Sequence, residues 1–258
     1  MKKAGKIIEG SVQYNISPFH TTDLFVQNAL EQERMGASLI HVEDMAGLMT
    51  PEAAYELISA LKKALKIPVH LQCHCTGGMA EMAYWEAIRA GADGLDVCVS
   101  SMSMGPAQPP VESFIAALKG TSRDPNIDLE PFSSINRDFI ALRKKYADYE
   151  TKLIGVDVGC LKHQIPGGML SNLESQLTAM NVYDRLPDVL AEVTRYVPTW
   201  GIRPWQRYQP DVRRTGHYQC SYRQPLFHGQ PGNQGLLQGN VRTTARPCLT
   251  RAVRKSPR

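Results

Sequence analysis

Short apolar strands begin near residues 9, 38, 68 and 94 of this 258-residue chain, and a helical segment follows each one. A repeat of about thirty residues is the size of one βα unit, and it restricts the fold more than any other feature of the sequence. Right-handed parallel crossovers build either an open doubly wound sheet or a (β/α)8 barrel. None of the loops carries the G-x-G-x-x-G of a dinucleotide-binding turn, and polar residues collect after several strands rather than one. The expectation is an α/β fold of TIM-barrel type, in which four βα units supply about half of the barrel.

Local signals place the elements. Ile7–Ser17 reads as a strand ending in Ser-Pro, and Thr21 or Thr22 caps a helix that carries Leu24, Phe25, Ala29 and Leu30 on one face and stops at Gly36. Ala37–Glu43 is the next strand. Thr50 before Pro51 is an N-cap with proline at the first helical position, and Leu57, Ile58, Leu61 and Leu65 recur at helical spacing. A strand from Pro68 leads to a helix over about Met79–Ala90 that Gly91 ends. Asp93–Ser100 reads as a further buried strand, followed by a helix over Val111–Leu118.

The third strand runs PVHLQCHCTGG, from Pro68 to Gly78. Strand side chains alternate faces, so His70, Gln72 and His74 point one way while Leu71, Cys73 and Cys75 point the other. Imidazole and amide groups at the carboxyl end of a parallel strand are where a barrel holds a metal or substrate. H-x-x-x-H and C-x-C are weak patterns taken singly, and hydrogen-bonded core histidines fit the spacing equally well.

Charge divides the chain. Its net +4 is the sum of −6 over residues 1–197 and +10 over residues 198–258, where Asp211 is the one acid. Residues 130–197 read as helices, and beyond them periodicity gives way to Arg, Gln, Pro and Gly. Three segments are expected: a half barrel over 1–120, a helical region over 121–197, and a disordered basic tail over 198–258. No apolar run approaches the ~18 residues of a membrane span, and the MKKAGK start has no apolar stretch behind it, so a cytoplasmic location is expected. Six scattered cysteines point to reduced thiols.

HVEDMAGLMTPEAAYEL, PVHLQCHCTGGMA, AGADGLDVCVSSMSMGPAQPPVES and QIPGGMLSNLESQL together resemble the biotin-dependent carboxyltransferase domain of the oxaloacetate decarboxylase α subunit, the pyruvate carboxylase B subunit and the transcarboxylase 5S subunit. The resemblance runs from about residue 4 to residue 197. It implies a barrel followed by helices, which moves a carboxyl group between biotin and pyruvate or oxaloacetate through an enolate. A divalent metal (Zn, Mn, Co or Mg) would stabilise the enolate. It also implies that the first four strands are missing. A partner or a second copy of the chain would then supply them, because half a barrel exposes the apolar edge of an open parallel sheet, which is normally fully covered. Biotin would arrive on a separate carrier, since the chain has no A/V-M-K-M segment. A membrane would be reached only through a partner subunit, and no nucleic acid is expected.

The resemblance also implies roles for individual residues. His74 occupies the second position of the family's His-x-His metal motif, Gln72 stands in place of the first histidine, and Glu43 in place of a carbamylated lysine. The three make a weakened metal site. Ser171 matches the hydroxyl that carries a proton, with Gly167, Gly168 and Asn172 shaping its loop, and Gln108 matches a substrate-binding loop at the barrel mouth. Two other readings stand beside this one: a metal-dependent aldolase or acyltransferase of a related barrel family, and a non-catalytic remnant whose basic tail binds nucleic acid. The tail has a further explanation. Codons for VPTWGIRP, read one nucleotide earlier, can spell T-D-M-G-Y-P-P, and those for QPDVRRTGH, read two earlier, can spell T-S-Q-M-F-G-A-Q-A. Both are segments of the family type, so the residues from about 195 onward are expected to come from shifted reading frames.

Overall fold

A computed structural model describes residues 5–147, 150 and 155–200 of the chain, with side chains as far as residue 194. Four strands form one parallel sheet in sequence order: β1 (Glu9–Gln13), β2 (Leu39–Asp44), β3 (Val69–Cys73) and β4 (Gly94–Leu95). Helices α1 (Thr22–Met35), α2 (Pro51–Ala64) and α3 (Ala80–Ala90) make the crossovers, and α4 (Val111–Leu118) follows β4. Thr21 accepts a hydrogen bond from the Leu24 amide, Thr50 accepts one from Ala53, and Gly36 and Gly91 end their helices with φ of 103° and 100°. Each hydroxyl cap satisfies an amide that the helix cannot pair, at about 1 kcal/mol.

The core lies between the sheet and its helices. Ile40, Val42, Val69 and Leu71 pack there with Leu57, Ile58, Leu61, Ala83, Tyr84 and Ala87, all buried. Burying each large aliphatic side chain contributes about 1.5–3 kcal/mol. Cys73 and Cys75 belong to the same cluster. Burial, reinforced by Asp44, pushes the Cys73 thiol well up, and burial followed by Glu81 pushes Cys75 up to about 12, so both are packing residues that keep their protons.

The other face of the sheet is polar. Register places Ser11, His41 and His70 in one row and Gln13, Glu43 and Gln72 in the next, with Glu9 at the near end of β1. His41 sits at the centre: its Nδ1 lies 3.1 Å from Glu9 Oε1 and 3.5 Å from Glu43 Oε1, and its Nε2 lies 3.1 Å from Asp96 Oδ2. Ser11 Oγ, His41 Nε2 and Gln72 Oε1 on this face are buried.

One correction concerns β4. The strand expected over 93–100 is two residues long and continues only as a bridge between Cys98 and Pro110, and none of residues 93–100 is buried. Beyond Leu95 the ladder has no further strand beside it among the described residues, and the Asp96 carbonyl accepts from Tyr84 Oη at 2.5 Å.

Helix α5 (Glu130–Lys145) buries none of its residues, and is tied down by Ser101 N–H donating to Asn136 and by Arg143 donating to the Ser101 carbonyl. Helices α6 (Cys160–His163), α7 (Gly167–Ala179) and α8 (Leu186–Trp200) complete the described chain. Two compact units divide within α7, at Asn172 and Leu173. In the second unit, Leu173, Leu177 and Val189 form a small apolar cluster with Val182, Leu186 and Leu190. Helix α8 runs three residues beyond the expected end of the helical region at 197. The tail from residue 201, with the disorder, charge and reading-frame expectations attached to it, lies outside the described residues. No helix among the described residues is long and apolar enough to cross a membrane.

Candidate functional site

The loops leaving the carboxyl ends of β2, β3 and β4 meet. Asp44, fully buried, closes the first: its Oδ2 accepts the Met49 amide at 2.7 Å and the Cys73 thiol at 3.2 Å. Gly47, at φ 69°, lies so close to the second loop that a Cβ there would stand 2.6 Å from the His74 carbonyl oxygen. Only glycine serves both demands. The second and third loops are joined where the Cys75 amide donates to the Ala107 carbonyl at 2.8 Å.

His74 leans onto the third loop. Its Nδ1 makes a short hydrogen bond to the Pro106 carbonyl oxygen. A carbonyl only accepts, so Nδ1 carries the proton and Nε2 is an acceptor, which Gln108 Nε2 meets as a donor at 3.4 Å. Gln108 is held from its other end by the Cys98 thiol, which donates to Oε1 at 3.2 Å. Gly167 completes the group. A Cβ there would stand 2.6 Å from Pro106 Cβ, and the Gly167 amide donates to the Met45 carbonyl at 3.3 Å. His74, Pro106 and Gly167 thus form one line of contact from the end of β3 to the glycine turn. Gly168 faces open space. Ser171 stands in the following turn of α7 with its Oγ donating to the Gly168 carbonyl at 3.0 Å, and Asn172 is exposed beside it.

Gln72 and Glu43 are neighbours across β3 and β2. Gln72 is only 9% exposed, and its Oε1 has no hydrogen-bond partner among the described residues. Gln72 and Glu43 thus stand side by side, while the His74 ring turns to Pro106 and Gln108. An amide oxygen beside a carboxylate offers a cation hard oxygen donors rather than the nitrogen and sulfur that zinc favours. No three His, Cys, Asp or Glu side chains among the described residues gather as a metal cluster.

Sequence reasoning missed Pro106 and the Met45 carbonyl, which join the pieces. Pro106 lies in the GPAQPP segment, where the resemblance gave a role to Gln108 alone, and a backbone carbonyl leaves no mark in a sequence.

The HMGL-like family matches residues 2–139, more than half of the chain. The chain belongs to the HMGL-like family. A conserved carboxylase domain matches residues 160–203, the stretch that holds the glycine turn and Ser171. The B subunit of pyruvate carboxylase from Methanocaldococcus jannaschii is 42% identical over 204 residues, covering 79% of this chain and 36% of the relative. The methylmalonyl-CoA carboxyltransferase 5S subunit of Propionibacterium freudenreichii subsp. shermanii is 43% identical over 206 residues, covering 79% of this chain and 41% of the relative. The carboxyl transferase domain of Rhizobium etli pyruvate carboxylase with pyruvate superimposes with a TM-score of 0.76 at 30% identity, over 82% of this chain and 36% of that one. This member of the HMGL-like family therefore spans 36–41% of the length of these relatives.

Proposed function

We propose that this chain is one lobe of a biotin-dependent carboxyltransferase, moving a carboxyl group between biotin and pyruvate or oxaloacetate through an enolate. The observation that carries this reading is the line His74–Pro106–Gly167, which ties the imidazole at the end of β3 to the turn presenting Ser171. The carboxylase match over residues 160–203 favours it over an aldolase or acyltransferase.

In the carboxylating direction, Ser171 Oγ gives its proton to the biotin ureido nitrogen as that nitrogen loses CO2. It takes a proton from the pyruvate methyl group in return. The resulting enolate carbon then bonds to the CO2, and the proton count closes on the serine. Gln108 and Asn172 orient the keto acid, and Gly167 and Gly168 let the turn approach it. His74, Gln72 and Glu43 would hold a divalent cation, which when bound polarises the keto oxygen. In this reading biotin arrives on a separate carrier, the remaining barrel strands come from elsewhere in the assembly, and the assembly works in the cytoplasm.

The test is exchange of pyruvate methyl protons with deuterated solvent by the complete assembly. Ser171→Ala should slow exchange by about 10²–10⁴-fold, the worth of a positioned proton carrier. Exchange at the wild-type rate in that variant would sink the assignment.

A further inference from the structure

His163 takes no part in the chemistry proposed above, yet it is 4% exposed, and a ring so deeply buried needs both nitrogens accounted for. Its Nδ1 accepts the Ile165 amide at 3.1 Å. The proton of the neutral ring is therefore on Nε2, which lies 3.5 Å from Asp157 Oδ2 and makes no hydrogen bond among the described residues. Asp157 is itself fixed. Its Oδ1 accepts the Gly159 amide at 2.8 Å, and its own amide donates at 2.9 Å to the carbonyl of Thr76, two residues beyond His74.

The other end of this chain of contacts is the glycine turn. Gln164 takes the left-handed conformation at φ 51°, its side chain donates to the Ile16 carbonyl at 3.0 Å, and Ile165 is fully buried. Pro166 follows, and its carbonyl accepts the Met169 and Leu170 amides at 3.0 and 2.9 Å, opening α7. The Ile165 amide is thus the last backbone donor before the turn, and an imidazole nitrogen holds it. A protonated ring has no acceptor to offer: Nδ1–H would point at N–H, and the turn would lose that anchor.

We propose that His163 is a positioning residue for the glycine turn: its neutral ring locks Ile165, and protonation releases the segment that presents Ser171. Burial favours the neutral form and holds the ring below its ordinary range, while Asp157, the charged group acting on it, pulls the other way. The proposal rests on the function above only for the role of Ser171.

The experiment is an NMR titration of the isotope-labelled full chain from about pH 8 to about pH 5, spanning the ordinary histidine range. At neutral pH the His163 ring should show its proton on Nε2. On acidification the Ile165, Gly167 and Gly168 amide signals should move together with a midpoint below the ordinary 6.5. Above the midpoint the Ile165 amide should lose exchange protection by about tenfold for each pH unit of acidification, the slope of a single proton, and the loss should level off below the midpoint. His163→Asn, whose amide oxygen can still accept from Ile165, should abolish this titration while preserving the neutral-pH signals of α7. A proton on Nδ1 at neutral pH, static Gly167 and Gly168 signals, or a titration that survives His163→Asn would each overturn the proposal. Because the wild-type ring and amides are read directly, they decide the question even where the variant fails to fold. A positive titration alongside undiminished proton exchange in Ser171→Ala would keep the switch and discard the catalytic role.

Discussion

At Gly167 and Gly168, adjacent in sequence, the same substitution should have opposite consequences. A methyl group on Gly167 would meet Pro106, whose carbonyl is committed to His74, whereas one on Gly168 would enter open space. Gly167→Ala should cost about 1–3 kcal/mol in overpacking. Gly168→Ala lies in a helix and should stabilise by up to about 1 kcal/mol. Urea unfolding of the two variants checks this, and equal midpoints would mean that Pro106 does not press on the turn. At the same scale, the family motif marked Ser171, His74 and Gln108 by residue type. It could not mark His163, whose role depends on which atom its ring reaches.

Among the elements, the junction of α2 with β3 is set by one acid. Asp93 Oδ2 accepts from Lys62 Nζ of α2 at 2.5 Å and from the amide of Val69, the first residue of β3, at 2.8 Å. Burial raises its carboxyl, but Lys62 and the Val69 amide outweigh that and leave it below its usual value of 3.8. The sign follows from linkage: a lowered carboxyl adds stability above about pH 4, and this is lost as pH falls through the folded value. The pair is partly solvated, so Asp93→Asn should cost about 1 kcal/mol near neutral pH. The difference from wild type should shrink as pH falls below about 4, as read by thermal unfolding across the pH range. Helix boundaries at Thr21, Gly36, Thr50 and Gly91 were legible because a cap is a contact within one turn. β4 was not, because apolar residues extend a strand only where a neighbouring strand accepts their hydrogen bonds. Gly94 shows the same dependence on a neighbour, since a Cβ there would stand 2.7 Å from His70 Nε2.

Over the whole molecule, the polar sheet face decides how this lobe can live. Glu9, Ser11, His41, Glu43, His70 and Gln72 make it up, and these groups would line a barrel interior if the remaining strands closed over them. If those strands come from elsewhere in the assembly, amides of Glu9–Gln13 and of Gly94–Ser100 should gain protection from hydrogen exchange in the assembly relative to the isolated chain. Unchanged protection at both edges would count against closure. By itself the sequence determined the order of βα units, the helix caps and the residue types offered to the site, because periodicity, capping and motif spacing are properties of neighbours along the chain. Only the tertiary structure decided that the sheet's inner face is polar around His41, that β4 stops after two residues, and that Pro106 joins His74 to Gly167. Those facts are contacts between segments far apart in sequence, fixed by packing and register rather than by local preference.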